Sequence, residues 1–312
     1  MKDVFFIVGP TAIGKSEIAA DVAQELDAEI VSADAFQIYR GLNLLTAKPS
    51  AQTLVKVPHH LIGTMSILAE MNAEKFRQLS RRAIDEIHLR GKLAIMVGGS
   101  GLYIKALTHG LTPLPAIDPK LRAQLNETSL DQLRVKIAEL DPETARKIDM
   151  KNRRRLVRAI EICVITGKLL SVRRANVVTA VADRGAGSAT AAAGIFVFRD
   201  REELYERINR RVDAMFKKGV IEEVRAAGAM STTASQMIGL REIGELLGGR
   251  MSILQCVAAI QQSTRRYAKR QLTWFRRQTN FEPLNLSLLT YNEAVKWISQ
   301  RLKAFGVAQG ND

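Results

Sequence analysis

The chain has 312 residues, 46% hydrophobic and 25% charged, which fits a folded globular protein and excludes a disordered or collagen-like one. No apolar run approaches the roughly 20 residues of a membrane span, and two cysteines, Cys163 and Cys256, are too few for a disulfide scaffold. Residues 1–110 carry 12 Lys+Arg against 11 Asp+Glu, so the remainder holds +13 of the +14 net charge. A neutral first part joined to a strongly basic second part implies a polyanionic partner met mainly by the second.

Val4 to Val8 is a continuous apolar run ending at Gly9. It is too short for a secretion signal and leads into a glycine loop, so it predicts a buried first strand and a cytoplasmic protein. The loop Gly9, Pro10, Thr11, Ala12, Ile13, Gly14, Lys15, Ser16 matches G-x-x-x-x-G-K-[ST]. Glycines let backbone N–H groups converge on phosphate, Lys15 adds a positive charge, and the Ser16 hydroxyl is suited to ligate Mg²⁺. A helix follows from Glu17 to Leu26, and a second strand over residues 28–32 ends at Asp34. Asp34 is suited to act as a general base or as an acceptor for an amine. A turn cap is the alternative. Ala73 to Arg90 has the spacing of an amphipathic helix, and Leu93 to Val97 of a third buried strand. That strand ends in Gly98, Gly99, Ser100 without the acid a nucleotide hydrolase offers there. Strands alternating with helices predict an α/β fold, a P-loop NTPase-like parallel sheet flanked by helices, with ligands at its carboxyl edge.

The alternation breaks at 111–115, and residues 118–174 read as helical throughout. The expected organisation is a core of 1–114 and 195–304, a small all-helical insertion over 115–180, a flexible Ala/Gly-rich loop over 177–194, and a tail over 305–312. Ile195 to Phe198 predicts a return to the sheet, and everything from Glu202 to about 304 reads as helix. Both cysteines fall in apolar helical patterns and are expected to be buried thiols.

Three basic segments follow. Lys151 to Arg174 holds eight basic residues and one acid, Glu161. Arg207 and Arg211 stand at i and i+4, a spacing that could clamp a diphosphate or simply pair with Glu203 or Glu206. Residues 265–277 place basic pairs at 265/266, 269/270 and 276/277, read as one basic face with Tyr267, Trp274 and Phe275 interleaved. Such faces suit phosphate backbones and unstacked bases, although core packing explains the aromatics equally well.

Taken together, these segments resemble the tRNA dimethylallyltransferases. The likeness runs through GPTAIGKS at 9–16, SADAFQIYRGLNLLTAKP at 32–49, VPHHLIG at 57–63 and VGGSGLYIKAL at 97–107. It continues with NRRRLVRAIEI at 152–162, REELYERINRRVDAM at 201–215, QMIGLREI at 236–243 and KRQLTWFRRQ at 269–278. The resemblance implies a monomeric, bacterial-type enzyme that moves a dimethylallyl group from dimethylallyl diphosphate to N6 of adenosine 37. The implied acceptors are tRNAs reading codons that begin with U, bound by the anticodon stem-loop, with Mg²⁺ as cofactor. It implies that the P-loop and Arg211 grip diphosphate rather than ATP, and that Asp34 is the base. Arg207 would steady the leaving group and Ser100 would act near the reacting atoms. Asp34, Ala35, Phe36, Gln37, Ser100, Arg122, Arg154, Arg155, Leu156, Val157 and Arg158 are implied to meet tRNA. Ser16 and Ser100 stand where threonine is usual, and Leu240 where tyrosine is common. A P-loop small-molecule kinase, a free-adenylate isopentenyltransferase and a non-catalytic tRNA-binding protein are the competing readings.

Overall fold

Alternating apolar side chains explain how the sheet sits between two helical layers. The computed structural model describes residues 4–111, 115–116, 118–171 and 193–309. Six strands, β1 (Val4–Val8), β2 (Glu29–Ala33), β3 (His59–His60), β4 (Ala94–Gly98), β5 (Gly194–Phe198) and β6 (Glu282–Asn285), form one sheet in the order β3-β2-β4-β1-β5-β6. Every pairing is parallel. Val4, Phe6 and Val8 pack into the core on one face, together with Val31, Ala33 and Met96. Phe5 and Ile7 pack into the core on the other, with Ile30, Ile95 and Val97. Period-2 alternation in strands apolar on both sides is what a sheet covered on both faces requires. Burying a side chain such as Phe6 or Ile7 contributes about 1.5–3 kcal/mol.

The register decides where the site lies. Val8 pairs with Gly98, and Ala33 pairs with Gly98 on the other side. The loops that leave β1, β2 and β4 therefore start side by side at the carboxyl edge. Close strand approach demands glycine here: a Cβ on Gly98 would lie 2.3 Å from the Ala33 carbonyl oxygen, and one on Gly9 would lie 2.1 Å from that of Val197.

The chain divides into two compact units, 1–110 with 190–312, and 111–189. In the second unit, helices Pro119–Glu127, Leu130–Leu140, Pro142–Lys147 and Arg153–Thr166 begin at Asp118, Ser129, Asp141 and Asn152, whose side chains accept backbone N–H groups. Leu125, Leu133, Ile137, Leu156 and Ile160 form its core.

Three expectations change. Residues 202–304 are not all helical, because β6 follows the long helix Ile253–Gln278. Pro283 lacks an N–H and obscures the strand, but among the described residues β6 pairs with β5 alone, and an edge strand tolerates proline. The final helix, Tyr291–Gln309, runs through most of the supposed tail, and 310–312 lie outside the described residues. Gly194 opens β5 instead of closing a loop, and the rest of the 177–194 segment lies outside the described residues apart from Ala193. Cys163 and Cys256 are free and buried. No helix among the described residues is long and apolar enough to cross a membrane.

Candidate active site

The glycine loop is shaped for an anion. Gly14 adopts φ 89° and Ala12 φ 68°, left-handed conformations that turn successive N–H groups inward. Gly14 precedes the helix Lys15–Glu25 without a side-chain cap, so the first N–H groups of that helix face the loop unfilled by side chains. The Gly9 N–H donates to the Gly98 carbonyl at 3.2 Å, which ties the loop to the end of β4. Ile13 is wholly buried in the core, so only its backbone can serve a ligand. Lys15 folds back, its Nζ donating to the Pro10 carbonyl at 3.1 Å. Burial, helped by nearby Arg211 and opposed by Asp34 and Glu17, pushes its ammonium down to about 8.

Three arginines hold consecutive loop residues. Arg199 Nε donates to the Ile13 carbonyl at 3.0 Å, and Arg207 Nε to that of Ala12 at 2.9 Å. Arg211 Nη1 donates to the Thr11 hydroxyl at 2.7 Å. Arg207 and Arg211 come from one face of the helix Arg201–Lys217, one turn apart. Simple pairing with Glu203 or Glu206 does not describe them, since Glu203 takes Arg199 and Glu206 takes Arg210. Arg211 Nε is sealed from solvent without a hydrogen-bond partner among the described residues. Burial pulls its guanidinium below the usual range, and Asp34 opposes that pull. A buried donor without an acceptor is costly, and an anion beside Arg211 would satisfy it.

Asp34 proves to be both a cap and a candidate base. Its Oδ1 accepts the N–H groups of Phe36 at 2.9 Å and Gln37 at 3.2 Å. The cap occupies one oxygen and orients the other. Ser100 Oγ accepts the Ala35 N–H at 2.9 Å, and the Ser100 N–H donates to the Ala33 carbonyl at 3.2 Å. The turns after β2 and β4 are thus bonded through the residues next to Asp34. Gln37 is itself fixed, its Nε2 donating to the Ala47 carbonyl at 2.9 Å. The Tyr267 phenol, near Ser100 and Asp34, is driven by burial far above its ordinary range and stays neutral.

The long basic helix presents two faces. Arg266, Lys269, Arg270, Thr273, Trp274 and Arg277 line an open groove of about 540 Å³. The paired arginines do not all share it, because adjacent helical residues point about 100° apart. Arg265 instead donates to Asn209 Oδ1 at 2.7 Å, and Arg276 lies 5.6 Å over the Phe198 ring. Phe275 is core, whereas Trp274 is half-buried and stands edge-on to it, with ring centroids 5.0 Å apart. A Cβ on Gly101 would fall 2.4 Å from the Trp274 ring, so glycine is required where the two elements meet.

In the helical unit, the expected RNA contacts separate into exposed and structural groups. Arg154 and Arg155 are exposed. Leu156 and Val157, at 0% and 3% exposure, are core side chains of the helix that carries the arginines. Arg122 and Arg158 both pair with fully buried Glu161, and Arg158 Nη2 also donates to the Pro115 carbonyl at 3.0 Å. Burial would raise the Glu161 carboxyl, but the two arginines outweigh it and leave it below the usual range. Arg153 donates to the carbonyls of Leu125, Asn126 and Thr128, closing the end of the helix Pro119–Glu127.

This arrangement has known counterparts. The family model described as IPP transferase matches residues 37–278. The chain belongs to the IPP transferase family. A relative named tRNA dimethylallyltransferase from Akkermansia muciniphila is 42% identical over 273 residues, covering 88% of this chain and 90% of its own. One named tRNA dimethylallyltransferase 1 from Citrifermentans bemidjiense is 42% identical over 281 residues, covering 89% and 90%. The solved structure of a full-length tRNA isopentenylpyrophosphate transferase from Bacillus halodurans is 32% identical, with a TM-score of 0.70 over 99% of this chain and 100% of that one. A eukaryotic dimethylallyltransferase acting on tRNA shares the fold at 23% identity, with a TM-score of 0.74 over 95% of this chain and 77% of that one.

Within this family member, sequence reading missed Arg199 and Gln271 as parts of the site, and read Tyr267 as surface of the basic face rather than a neighbour of Ser100 and Asp34. Arg199 directly follows β5, so the rule that singled out Asp34 after β2 would have found it. Gln271 gives no such signal, because its partners are 260 and 172 residues away. Leu240 packs half-buried against the core.

Proposed function

We propose that this chain transfers the dimethylallyl group of dimethylallyl diphosphate to N6 of adenosine 37 in the anticodon stem-loop of tRNAs reading codons that begin with U. The observation that carries the reading is the pairing of two turns at one sheet edge. A basic loop built for phosphates stands beside Asp34 and Ser100, and no acid follows β4. A nucleotide engine would need that acid to organise metal and water.

In the proposed step, N6 attacks carbon 1 of the allyl group as the C1–O bond to diphosphate breaks, and the N6 proton passes to Asp34. Lys15, Arg207 and Arg211 take up the charge that builds on the leaving oxygens. Ser100, bonded to the Ala35 N–H next to Asp34, would offer its hydroxyl to the reacting atoms. Groups of three or more His, Cys, Asp or Glu that could cage a metal are absent among the described residues. Magnesium needs only one or two protein oxygens when phosphates and water supply the rest. The half-buried Ser16 hydroxyl, second in its helix, fits that role. Bound there, the ion would neutralise diphosphate charge.

Incubation with labelled dimethylallyl diphosphate, Mg²⁺ and unmodified tRNA is expected to put label into tRNA. Unlabelled tRNA together with ATP consumed on a small acceptor would establish the kinase reading instead.

Lys15 gives a pH signature. The protonated ammonium is the form that binds, and its pKa near 8 is far below that of an ordinary lysine. Bound diphosphate raises that pKa. Affinity for pyrophosphate is therefore expected to hold below pH 8 and to fall as the pH rises above it, up to tenfold per unit. Calorimetric titration between pH 7 and pH 9.5 checks this, and an affinity flat to pH 9.5 contradicts it.

The helical unit supplies a paired test. Arg154→Ala and Arg155→Ala should each lower the salt dependence of tRNA binding by about one phosphate contact without changing the melting temperature. Leu156→Ala should cost about 2–5 kcal/mol of stability, because it opens a cavity. Equal effects on melting from the arginine and leucine variants would refute the division into exposed and core residues.

A further inference from the structure

The helix Ile253–Gln278 has a buried side as well as a basic groove, and the proposed reaction leaves that side without a role. Gln271, 5% exposed, lies on it. Its Oε1 accepts the Thr11 N–H at 3.0 Å, and its Nε2 donates to the Gly99 carbonyl at 2.9 Å. One amide therefore spans the phosphate loop and the turn before Ser100, its oxygen accepting on one side and its NH₂ donating on the other. Its other neighbours confirm a close fit. A Cβ on Gly99 would lie 2.3 Å from Gln271 Nε2 and 2.8 Å from the Gly9 carbonyl. The two residues it grips lead directly to the chemistry. The Thr11 hydroxyl receives Arg211, and Gly99 is followed by Ser100, which bonds Ala35 beside Asp34.

We propose that Gln271 is a positioning residue that fixes the separation between the diphosphate-binding loop and the Ser100–Asp34 turns, and so the distance from carbon 1 of the donor to the acceptor amine. This rests on the prenyl-transfer reading. The Thr11 N–H is taken up by Gln271 Oε1, and both ends of the amide are bonded to backbone. Loss of the amide should leave each half-site able to bind but misaligned with the other. A misplacement of about 1 Å can cost on the order of a hundredfold in rate.

The test compares Gln271→Glu with Gln271→Met in single-turnover transfer at saturating substrates, per folded molecule, from pH 5.5 to pH 8.5. An ionised carboxylate at 271 still accepts the Thr11 N–H but repels the Gly99 carbonyl. A protonated one donates to that carbonyl as the amide does. For Gln271→Glu, the rate relative to wild type is expected to be about a hundredfold low at pH 8.5 and to recover as the pH falls. Gln271→Met should be comparably low at every pH. Both variants should bind pyrophosphate within about threefold of wild type. A ratio that does not change with pH, or wild-type rates in both variants, overturns the proposal. Hydrogen exchange of the Thr11 amide separates this from failure of the functional reading. The amide should exchange slowly in the wild type and faster in Gln271→Met whichever substrate turns over, and unchanged exchange removes the tie. If the amide behaves as stated but wild-type protein leaves tRNA unlabelled, it is the functional reading that fails.

Discussion

Asp34→Asn is expected to slow dimethylallyl transfer by about a thousandfold, within the ~10²–10⁴ range for loss of a general base. Asparagine is the informative replacement because it separates the observed cap of Asp34 from its proposed role as base. Asp34 Oδ1 caps the turn by accepting from Phe36 and Gln37, and an amide oxygen does this as well as a carboxylate. What asparagine cannot do is take the N6 proton. The loop 34–37 should therefore keep its shape, and affinity for pyrophosphate and tRNA should stay near wild type. Asp34→Ala removes cap and base together. It should match Asp34→Asn in lost rate while costing about 1 kcal/mol more in stability. Label incorporation under single-turnover conditions, with melting temperatures for both variants, checks this. A rate for Asp34→Asn within threefold of wild type would remove Asp34 from the chemistry and leave it a turn residue.

The same carboxylate shows how far the site could be read from the chain. The P-loop, Asp34 and Ser100 were legible because each follows a short apolar run, and parallel strands deliver such residues to one edge. Their mutual bonding was not legible: the Ala35–Ser100 contact spans 65 residues and depends on register. Arg207 and Arg211 could be placed on one helix face by spacing, but not aimed at Ala12 and Thr11, since 195 and 200 residues intervene. The basic helix was recognised, yet its arginine pairs divide between a groove and other partners, Asn209 and the Phe198 ring, a rotation that composition alone does not reveal. In the helical unit, the run from Arg153 to Arg158 mixes one carbonyl-binding arginine, two exposed ones, two core residues and one ion pair. Charge density marked the segment, and burial sorted it. The strand β6 was missed because four residues containing a proline carry no periodicity.

Arg211→Met is expected to make the empty protein more stable and the diphosphate complex much weaker. The guanidinium is buried close enough to Lys15 to lower that lysine's proton affinity, its Nε has no acceptor among the described residues, and burial already pulls its own proton affinity down. Burying such a charge without full compensation destabilises a fold, and an apolar side chain of similar length removes that cost. On the proposed function, the ligand would supply what the protein does not. A diphosphate oxygen would give Nε its acceptor and both cations their counter-charge. Losing one buried, hydrogen-bonded charge from such a contact costs about 2–5 kcal/mol, or roughly 30-fold to several thousandfold in affinity. The two measurements should therefore move in opposite directions, with the melting temperature up without ligand and pyrophosphate affinity down. Arg211→Lys should fall between them, keeping charge but losing the planar fork. A less stable Arg211→Met that binds pyrophosphate normally would show that Arg211 serves to brace Thr11 rather than to receive the leaving group.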